Sequence, residues 1–402
     1  MENSEPTMRP AMQETRVLML NYEFPPLGGG SGNATYYLLR ELESTRGLQI
    51  DLVTSSASNH FERLEFADSI RIFRLPVGKT HAHFWTASEI GRWLYRTLRF
   101  VEELTAETRY DLCHCWSGWP SGLIGYWCRK KFPYVVALRG SDVPGYSQRL
   151  AYADPILFRP LSRMVWKAAD AVTIVSSDLA RLAARTAPDV SLEVIGNGVS
   201  ASQFAAGPKP AQFTILYAGR LIPRKGIFHL LQAFAELVAE GEECRLVIAG
   251  SGPEQGEVER FCRERKIDAR VEILGEVQHE DLPNVYARAS VFVMPALEEA
   301  MSNAVLEAMA SSLPIIATKS GVTDFFDDNG VIVEKRDHRQ IKAAIRGYLN
   351  DPDRVDRHGK RSRAIAEELT WTKAAQAYTD LYRRVAARRV QARDRPLEGA
   401  RR

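Results

Sequence analysis

Residues 290–318 read "SVFVMPALEEAMSNAVLEAMASSLPIIAT", and this stretch decides the fold class. The apolar run "SVFVMPA" has the length and composition of a buried strand, and "LPIIAT" repeats that pattern at the end of the stretch. Between the two runs, Ser302 is a good N-cap for a helix that carries "AVLEAMA". The order strand, loop, helix, strand predicts a unit of the parallel sheets that helices cover on both faces.

The same alternation of short apolar runs and helical patterns continues along most of the chain. The runs form two series, separated at residues 198–212 by "GVSASQFAAGPKPAQ", which has no periodic pattern and is interpreted as a linker. The first series is "RVLMLNY", "LQIDLVTS", "IRIFRLP", "YDLCHCW", "YVVALRG", "DAVTIVSS" and "SLEVIGN"; the second is "FTILYAG", "CRLVIAG", "VEILGEV", "SVFVMPA", "LPIIATK" and "GVIVEK". We therefore predict an α/β protein with two doubly wound, Rossmann-like domains whose strand ends face a shared cleft.

The predicted domain boundaries follow from these changes along the chain. Residues 15–197 form the N-terminal domain and residues 213–365 the C-terminal domain. Residues 366–389 form a helix that returns toward the N-terminal domain. The two ends, residues 1–14 and residues 390–402, are predicted to be disordered, the second as a basic tail.

The composition excludes several classes of protein. Hydrophobic residues make up 45% of the 402 residues and charged residues 26%, which suits a soluble protein with two cores, while a net charge of +3 is too small to favour nucleic acid as a partner. Five scattered cysteines without paired spacing predict reduced thiols, and "CHC" at 113–115 is interpreted as a buried strand, not a metal site. Without an apolar run that could serve as a signal or a membrane span, we expect a cytoplasmic protein that at most lies on the inner membrane face.

A glycine-rich loop, "PPLGGGSGNATYYLLREL" at 25–42, lies between the first strand and the first helix. Glycines there let the backbone pass close to a ligand, and the helix start presents N–H groups to an anion. The dinucleotide pattern G-x-G-x-x-G fails at Asn33 and at Thr35, and the second strand ends without the acidic residue that the pattern requires. We predict that Gly29 and Gly30 approach a phosphate or a sugar, with a tight turn as the alternative, and we exclude a nicotinamide cofactor.

Two cations in the second half of the chain mark a place where a diphosphate could bind. The stretch "YAGRLIPRKGIFHLL", 217–231, ends a strand at Gly219, supplies Arg220 and Lys225, and then begins a helix. Fixed cations beside a helix N-terminus suit a diphosphate, although two solvated loop cations remain the alternative. The stretch "IAGSGPE", 248–254, adds Gly250 and Gly252, which predict a further close approach of the backbone at the same sheet edge.

Two carboxylates fall within the opening stretch, Glu299 in the loop and Glu307 in the second turn of the helix. A structural interpretation would leave Glu299 to the helix dipole and Glu307 to solvent. Glu307, however, stands among apolar residues that should face the sheet or the cleft, where an unpaired carboxylate is costly. The vicinal hydroxyls of a ribose would suit such an acceptor, and we predict that both carboxylates bind one ligand.

In this order and spacing, "GR…RKG", "AGSGPE" and the pair E-x7-E ending in "LEAMA" resemble the family 4 retaining glycosyltransferases, which have the GT-B fold. The glycine-rich loop, "RGSD" at 139–142 and "IGNGV" at 195–199 are similar to that family too, and the likeness covers about residues 15–385. The resemblance implies a nucleotide-diphosphate sugar as donor, no cofactor, and a glycan, lipid-linked or small-molecule acceptor bound by the N-terminal domain.

The resemblance also implies roles for single residues. The diphosphate would be held by Arg220 and Lys225, the ribose by Glu307, and a hydroxyl of the transferred sugar by Glu299. Backbone amides would complete the sugar site, those of Ala300, Met301 and Ser302. The predicted donor site also includes the glycines of the three loops, Gly29, Gly30, Gly219, Gly250 and Gly252. Arg220, Lys225 and Glu299 are the predicted catalytic residues.

Two positions depart from the family pattern. Many members carry Gly after the first glutamate, where this chain has Ala300, whose methyl group narrows the sugar pocket or changes the choice of donor. Many members carry His before "GSD", where this chain has Arg139, so a neutral hydrogen-bonding group is replaced by a cation. Arg139, Asp142 and His114, which closes a strand in the prediction, are assigned to the acceptor side.

The stretch "HFWTASEIGRWLYRTLRFVEEL", 83–104, predicts an amphipathic helix with Arg92, Arg96 and Arg99 along one face. Either this helix rests on an anionic membrane, where a lipid-linked acceptor would be found, or it packs on the core with a solvated basic side. The second placement is favoured.

The predicted function is retaining transfer of a hexose from a nucleotide sugar by front-side attack. A sugar-nucleotide epimerase or phosphorylase of the same fold is one alternative, and a catalytically silent sugar-nucleotide-binding protein is another. No metal is expected, because the aspartates of "NDPDRV" are explained as the N-cap Asp351 and the first-turn acid Asp353 of a helix that begins at Pro352.

Overall fold

The computed structural model describes residues 14–58, 60–82, 84–147, 152–207 and 210–394. Most of the predicted disordered ends, residues 1–13 and 395–402, and residues 208–209 of the predicted linker lie outside the described residues. The last helix continues to Asp394, so the disorder predicted from residue 390 is wrong for its first five residues. Their sequence, "VQARD", contains the good helix formers Gln, Ala and Arg, which explains why the helix does not end at residue 389.

The first sheet has eight strands in the order β3-β4-β2-β1-β5-β6-β7-β8. These are β1 (Thr15–Leu20), β2 (Leu48–Ser56), β3 (Glu62–Ala67), β4 (Ile70–Pro76), β5 (Leu112–Cys115), β6 (Tyr134–Leu138), β7 (Ala171–Ile174) and β8 (Leu192–Val194). Every run of the first predicted series overlaps one of these strands, and β1 pairs in parallel with β2 and β5. The edge strand β3 is antiparallel to β4 and is missing from the prediction, because "ERLEFA" carries charged, solvent-facing residues instead of a continuous apolar run.

The second sheet has six strands in the order β11-β10-β9-β12-β13-β14, and all of its pairs are parallel. They are the six runs of the second predicted series: β9 (Phe213–Ala218), β10 (Cys244–Ala249), β11 (Val271–Gly275), β12 (Val291–Met294), β13 (Ile315–Thr318) and β14 (Gly330–Val333). The strand order reverses at β9, which lies between β10 and β12. Such a reversal opens a crevice at the carboxyl ends of the two central strands, and the loops that follow β9 and β12 carry the predicted donor residues.

Helices connect the strands of both sheets. They are α1 (Gly30–Leu42), α2 (Ala87–Glu107), α3 (Ser121–Cys128), α4 (Arg159–Lys167), α5 (Ser177–Ala184), α6 (Ile227–Ala239), α7 (Gln255–Glu264), α8 (Leu282–Ala287), α9 (Asn303–Ala310), α10 (His338–Leu349), α11 (Pro352–Glu368) and α12 (Trp371–Asp394). The two predicted N-caps are confirmed, since Ser302 accepts from the N–H of Val305 and Asp351 from the N–H of Arg354.

The contacts between residues divide the chain into two compact units. The first contains the described residues of Met1–Ala137, Met164–Val172 and Ala375–Arg402, and the second those of Leu138–Arg163 and Thr173–Ala374. The second unit thus extends beyond the predicted C-terminal domain, because loops after β6 and β7 bond to the loops of the second sheet. The N–H of Ser177, for example, donates to Asp324 at 2.7 Å. The boundaries at residues 197 and 213 stay a prediction.

Helix α2 packs on the core of the first unit. Its side chains Trp93 and Val101 are fully buried, whereas Arg96 and Arg99 are exposed. Arg92 is exposed as well, and its Nε donates to the carbonyl of Val77 at 2.7 Å. Among the described helices, none is long and apolar enough to cross a membrane.

Candidate active site

Lys225 and Glu299 form an ion pair at the carboxyl edge of the second sheet. Lys225 ends a 3-10 turn that follows β9, Glu299 lies in the loop after β12, and Nζ of the lysine donates to Oε2 of the glutamate. The two side chains are 12% and 10% exposed. Burial lowers the pKa of Lys225; burial also acts to raise the pKa of Glu299, but Lys225 and Arg224 outweigh it and hold that pKa below its usual value. Glu299 is therefore an ionised carboxylate whose partner is a cation of the predicted diphosphate site.

A turn after β13 fixes the backbone of Glu299. The N–H of Glu299 donates to Oγ of Ser320 at 2.9 Å, and that hydroxyl lies 3.3 Å from the carbonyl oxygen of Glu299. The next residue, Gly321, has φ +73°, and a Cβ there would lie 2.9 Å from both Cγ and O of Glu299. Only glycine fits this approach, so the turn sets the position of the carboxylate.

Glu307 is a partly exposed residue of α9, and its carboxylate accepts a hydrogen bond from the hydroxyl of Tyr286 at 2.8 Å. Burial raises the pKa of Glu307 to about 7, and the hydrogen bond from Tyr286 acts in the opposite direction. The sequence predicted that the Glu307 carboxylate would need a partner. The structure supplies one from the protein itself, the hydroxyl of the fully buried Tyr286.

Arg220 lies two residues after the end of β9 and is partly exposed. Its positive charge, together with that of Arg224, contributes to the lowered pKa of Lys225, so three cations act on one another in this loop. A hydrogen bond from β9 holds the backbone of this loop: the hydroxyl of Tyr217 donates to the carbonyl of Arg220 at 3.1 Å. The predicted cations of the second half therefore lie together.

The glycines after β10 are required by the protein's own backbone. A Cβ on Gly250 would lie 2.0 Å from the carbonyl oxygen of Gly219, and a Cβ on Gly252 would lie 2.3 Å from that of Leu221. The close approach that the sequence predicts is thus an approach of two protein loops. Contact of these glycines with a ligand stays a prediction.

In the glycine-rich loop of the first unit, the packing of the protein requires glycine at residue 28 but not at residue 30. Gly28 has φ +95°, and a Cβ there would meet Cβ of Glu23 at 2.6 Å. Gly29 is the N-cap of α1, and Gly30 is its first residue. No atom lies within 4 Å of a Cβ placed on Gly30. Space at Gly30 is therefore available to a ligand.

Arg139 and Asp142, both predicted for the acceptor side, lie in the second unit. Asp142 is buried and accepts from the N–H groups of Arg139 at 3.0 Å and of Gly140 at 2.8 Å, so it shapes its own turn. The guanidinium of Arg139 donates to the side chain of Asn197, which in turn donates to the side chain of Asn303 at 2.6 Å. Arg139 is thereby connected to the start of α9, beside the predicted donor loop.

Ala300 is buried next to this turn. A Cβ on Gly140 would lie 3.3 Å from Cβ of Ala300 and 3.4 Å from the ring of Tyr146. The absence of a side chain at residue 140 therefore leaves room for the methyl group of Ala300.

The prediction that His114 lies on the acceptor side is not supported. His114 lies inside β5, a strand between β1 and β6, and its side chain is fully buried in the first unit. Its Nδ1 is 2.7 Å from the hydroxyl of Tyr382, and the rings of Trp116 and Tyr378 each lie 5.0 Å away. A side chain in the middle of a sheet covered by helices belongs to the core, which explains the correction.

Comparisons with known proteins agree with this arrangement. Residues 28–203 match the family described as "Glycosyltransferase Family 4", and residues 199–365 match "Glycosyl transferases group 1". The chain belongs to glycosyltransferase family 4. The GDP-mannose-dependent alpha-(1-6)-phosphatidylinositol monomannoside mannosyltransferase of Mycolicibacterium smegmatis is 26% identical over 86% of this chain and 92% of its own. The alpha-D-kanosaminyltransferase of Streptomyces kanamyceticus is 28% identical, but over only 42% of this chain and 45% of its own.

The solved structures define the fold of this glycosyltransferase. Sucrose-phosphate synthase from Thermosynechococcus elongatus superposes with a TM-score of 0.81 at 23% identity, over 93% of this chain and all of that one. The predicted GT-B fold is confirmed, and so is the predicted activity, glycosyl transfer from a nucleotide sugar. The epimerase, the phosphorylase and the silent binding protein are not favoured.

A pocket of about 410 Å³ lies beside Glu299 in the second unit of the glycosyltransferase. Its lining includes Tyr146, Ser320, Lys335 and Arg336, and its volume falls in the range of small-molecule sites. A larger pocket, of about 540 Å³, lies in the first unit at the end of α2 and contains none of the predicted site residues. The smaller pocket is the relevant one because it adjoins the buried ion pair.

The sequence reasoning missed four residues that shape this site. Arg224 donates to the carbonyl of Glu298 at 3.1 Å and acts on the pKa of both Lys225 and Glu299. Its position beside Lys225 in "PRKG" was the available signal. Asn197 lies within "IGNGV", a motif that the sequence analysis noted without assigning it a role. Tyr286 and Ser320 reach the site from other segments of the chain, and no spacing rule would have found them.

Exchanging two glycines for alanine should separate the demands of the fold from those of a ligand. Gly250→Ala should lower the free energy of unfolding by about 2–3 kcal/mol, because its φ of +141° and the carbonyl of Gly219 oppose a side chain. Gly30→Ala should leave stability unchanged or raise it by up to about 1 kcal/mol. Urea denaturation measures both. If Gly30→Ala also leaves kcat/KM unchanged, no ligand approaches Gly30.

Proposed function

We propose that the enzyme transfers a hexose from a nucleotide-diphosphate sugar to a hydroxyl group with retention of the anomeric configuration and without a metal ion. The acceptor is a glycan, a lipid-linked sugar or a small molecule, and the reaction takes place in the cytoplasm or at the inner membrane face. One observation carries the proposal: the ion pair of Lys225 and Glu299 lies at the crevice between β9 and β12, where parallel sheets bind ligands.

The donor is held by groups of opposite charge along this crevice. Arg220 and Lys225 bind the diphosphate, Glu307 accepts hydrogen bonds from the ribose, and Glu299 accepts one from a sugar hydroxyl. Backbone N–H groups of residues 300–302 complete the sugar site. Because Glu299 already holds Lys225, the carboxylate that selects the sugar also positions the cation that binds the phosphate.

The reaction is a front-side displacement. The acceptor oxygen forms a bond to the anomeric carbon on the face from which the diphosphate departs, as the bond from that carbon to the phosphate oxygen breaks. The proton of the acceptor hydroxyl moves to the departing phosphate oxygen. Arg220 and Lys225 stabilise the negative charge that grows on the diphosphate, which is greatest in the transition state.

A donor panel tests this function. A thermal-shift screen with UDP-glucose, UDP-N-acetylglucosamine, GDP-mannose and ADP-glucose identifies the donor, and the choice includes GDP-mannose because one relative is named as dependent on it. Proton NMR of the product then gives its anomeric configuration. Inversion would contradict the front-side displacement, and release of an epimerised nucleotide sugar without acceptor would favour the epimerase.

Transfer should survive removal of divalent cations. Arg220, Lys225 and the N-terminus of α6 already supply the positive charge that a metal would bring to a diphosphate. We expect kcat to change by less than about twofold in EDTA, and Asp353→Ala to be silent because Asp353 is an exposed first-turn acid of α11.

The neighbouring N-cap supplies the control. Asp351→Ala should cost about 1 kcal/mol of unfolding free energy without changing kcat, because Asp351 caps α11. If chelation abolishes turnover, Mn²⁺ restores it and Asp353→Ala removes the rescue, then the cations named above do not suffice for the diphosphate.

A further inference from the structure

The packing of the Tyr286 ring directs its hydroxyl at Glu307. Tyr286 lies on α8 and is fully buried, with its ring against those of Phe204 at 5.6 Å and Phe292 at 5.9 Å. The hydroxyl is 2.8 Å from Oε2 of Glu307 and 3.2 Å from the carbonyl of Ala304. A single O–H proton serves the nearer and more negative acceptor, so the hydrogen bond goes to the carboxylate.

Few charged groups surround Glu307. Its helix, α9, packs against α8, α11, β12 and β13. Glu307 is the only titratable residue of α9, Tyr286 is the only one of α8, and β12 and β13 carry none. From α11, Arg363 donates to the carbonyl of Ala310 at the far end of α9. Burial and the Tyr286 hydroxyl are accordingly the two influences that set the pKa of Glu307, at about 7.

We propose that Tyr286 is a positioning residue of the donor site, whose hydroxyl holds the Glu307 carboxylate in one orientation and favours its ionised form, the form that accepts the ribose hydroxyls. The proposal deepens the proposed function and rests on it. Its consequence is that donor affinity increases with pH as Glu307 loses its proton, and that Tyr286 sets the pH at which this occurs. Without the hydroxyl, Glu307 is more readily protonated, and the increase in affinity moves to higher pH.

The test is calorimetric titration between pH 6 and pH 9 with Tyr286→Phe. The probe is UDP-glucose, or GDP-mannose if only the latter binds the wild type. A nucleotide sugar is used because, unlike a free nucleoside diphosphate, its phosphates do not titrate in this range. Tyr348→Phe is the matched control, since Tyr348 is equally buried in the second unit and its hydroxyl is 2.8 Å from Nδ1 of His358, away from the site.

In the wild type, donor affinity should rise over the pH range in which Glu307 loses its proton; we call this rise the acid limb. We expect Tyr286→Phe to move the acid limb to higher pH by about one unit, since each hydrogen bond that a carboxylate accepts lowers its pKa by roughly that much. The loss of affinity should therefore be about fivefold at pH 7 and less than about twofold at pH 9. Tyr348→Phe should leave the wild-type limb in place, even if it lowers the melting temperature as much as Tyr286→Phe does.

Glu307→Gln completes the experiment, because an amide does not titrate. Donor affinity in this variant should be weaker and independent of pH from 6 to 9. Two outcomes would overturn the role of Tyr286 while the proposed function stands. One is a donor affinity that still depends on pH in Glu307→Gln. The other is a pH dependence in Tyr286→Phe that is the same as in the wild type. Failure of the wild type to bind either nucleotide sugar overturns both.

Discussion

Lys225→Met should lower kcat by about 10²–10³ and the free energy of unfolding by about 3–5 kcal/mol. The loss of turnover is expected because, in the proposed function, Lys225 stabilises the negative charge on the departing diphosphate. The loss of stability is expected because Glu299, only 10% exposed, would keep its charge without the partner that now offsets its burial. Steady-state kinetics and urea denaturation measure the two effects. Lys360→Met, which removes an exposed cation from α11, serves as the control and should change neither greatly.

A double-mutant cycle with Glu299→Gln separates the two effects of Lys225. The double variant should regain most of the stability that Lys225→Met loses, since no buried charge is then left unpaired, but kcat should stay low. Strictly additive losses of stability would show that the two side chains do not act as a pair in solution. A change confined to KM would make Lys225 a uniform binder of the donor and not a catalytic residue.

Glu307→Ala should weaken donor binding roughly 10²–10⁴-fold, because it removes two charge-assisted hydrogen bonds of about 1.5–3 kcal/mol each. The effect is expected in full at pH 8.5, above the pKa of Glu307 of about 7, and should shrink toward pH 6, where the wild-type carboxyl is protonated. Calorimetric titration with the donor measures it. Glu280→Ala, at an exposed position that follows β11, controls for the general loss of a negative charge.

The comparison with Glu299→Gln makes this prediction specific. Glu299→Gln should act mainly on turnover and on the choice of sugar, since Glu299 is assigned to the transferred sugar and not to the nucleotide. Equal losses of nucleotide affinity in the two variants would contradict the separate roles of the two carboxylates.

Sequence patterns predicted all six strands of the second sheet, because β9, β10, β12 and β13 are almost entirely buried and the edge strands β11 and β14 also carry apolar runs. The solvent-facing edge strand β3 gave no such signal. For the site, the loops and the N-cap Ser302 could be read from local patterns, since their geometry depends on neighbours a few residues away. Lys225 and Glu299, 74 residues apart, were assigned to different parts of one ligand, and their pairing depends on which strands adjoin. The hydrogen bond from Tyr286 to Glu307 likewise depends on how α8 and α9 pack, which no local sequence pattern shows.

The sequence predicted the function of the protein better than it predicted the contacts of single residues. Gly250 and Gly252 were singled out correctly as places of close approach, but the approaching atoms belong to the protein. His114 was predicted to close a strand, whereas β5 continues to Cys115 and the side chain of His114 is buried. In each case the sequence identified an unusual position, and only the packing showed what it contacts.

The packed loops after β9 and β10 bear on attempts to redirect this enzyme to other sugars. Saturation libraries at residues 250 and 252 should yield mostly inactive clones, since any side chain there displaces the backbone of the opposite loop. The surroundings of Gly140 offer more freedom, because the atoms nearest a Cβ placed there belong to the side chains of Ala300 and Tyr146 and not to backbone. Diversity is best concentrated at residues 146 and 300, whose side chains both lie within 3.4 Å of a Cβ placed on Gly140. Selection for a new donor would then explore the shape of the sugar pocket while the diphosphate-binding loop is left intact.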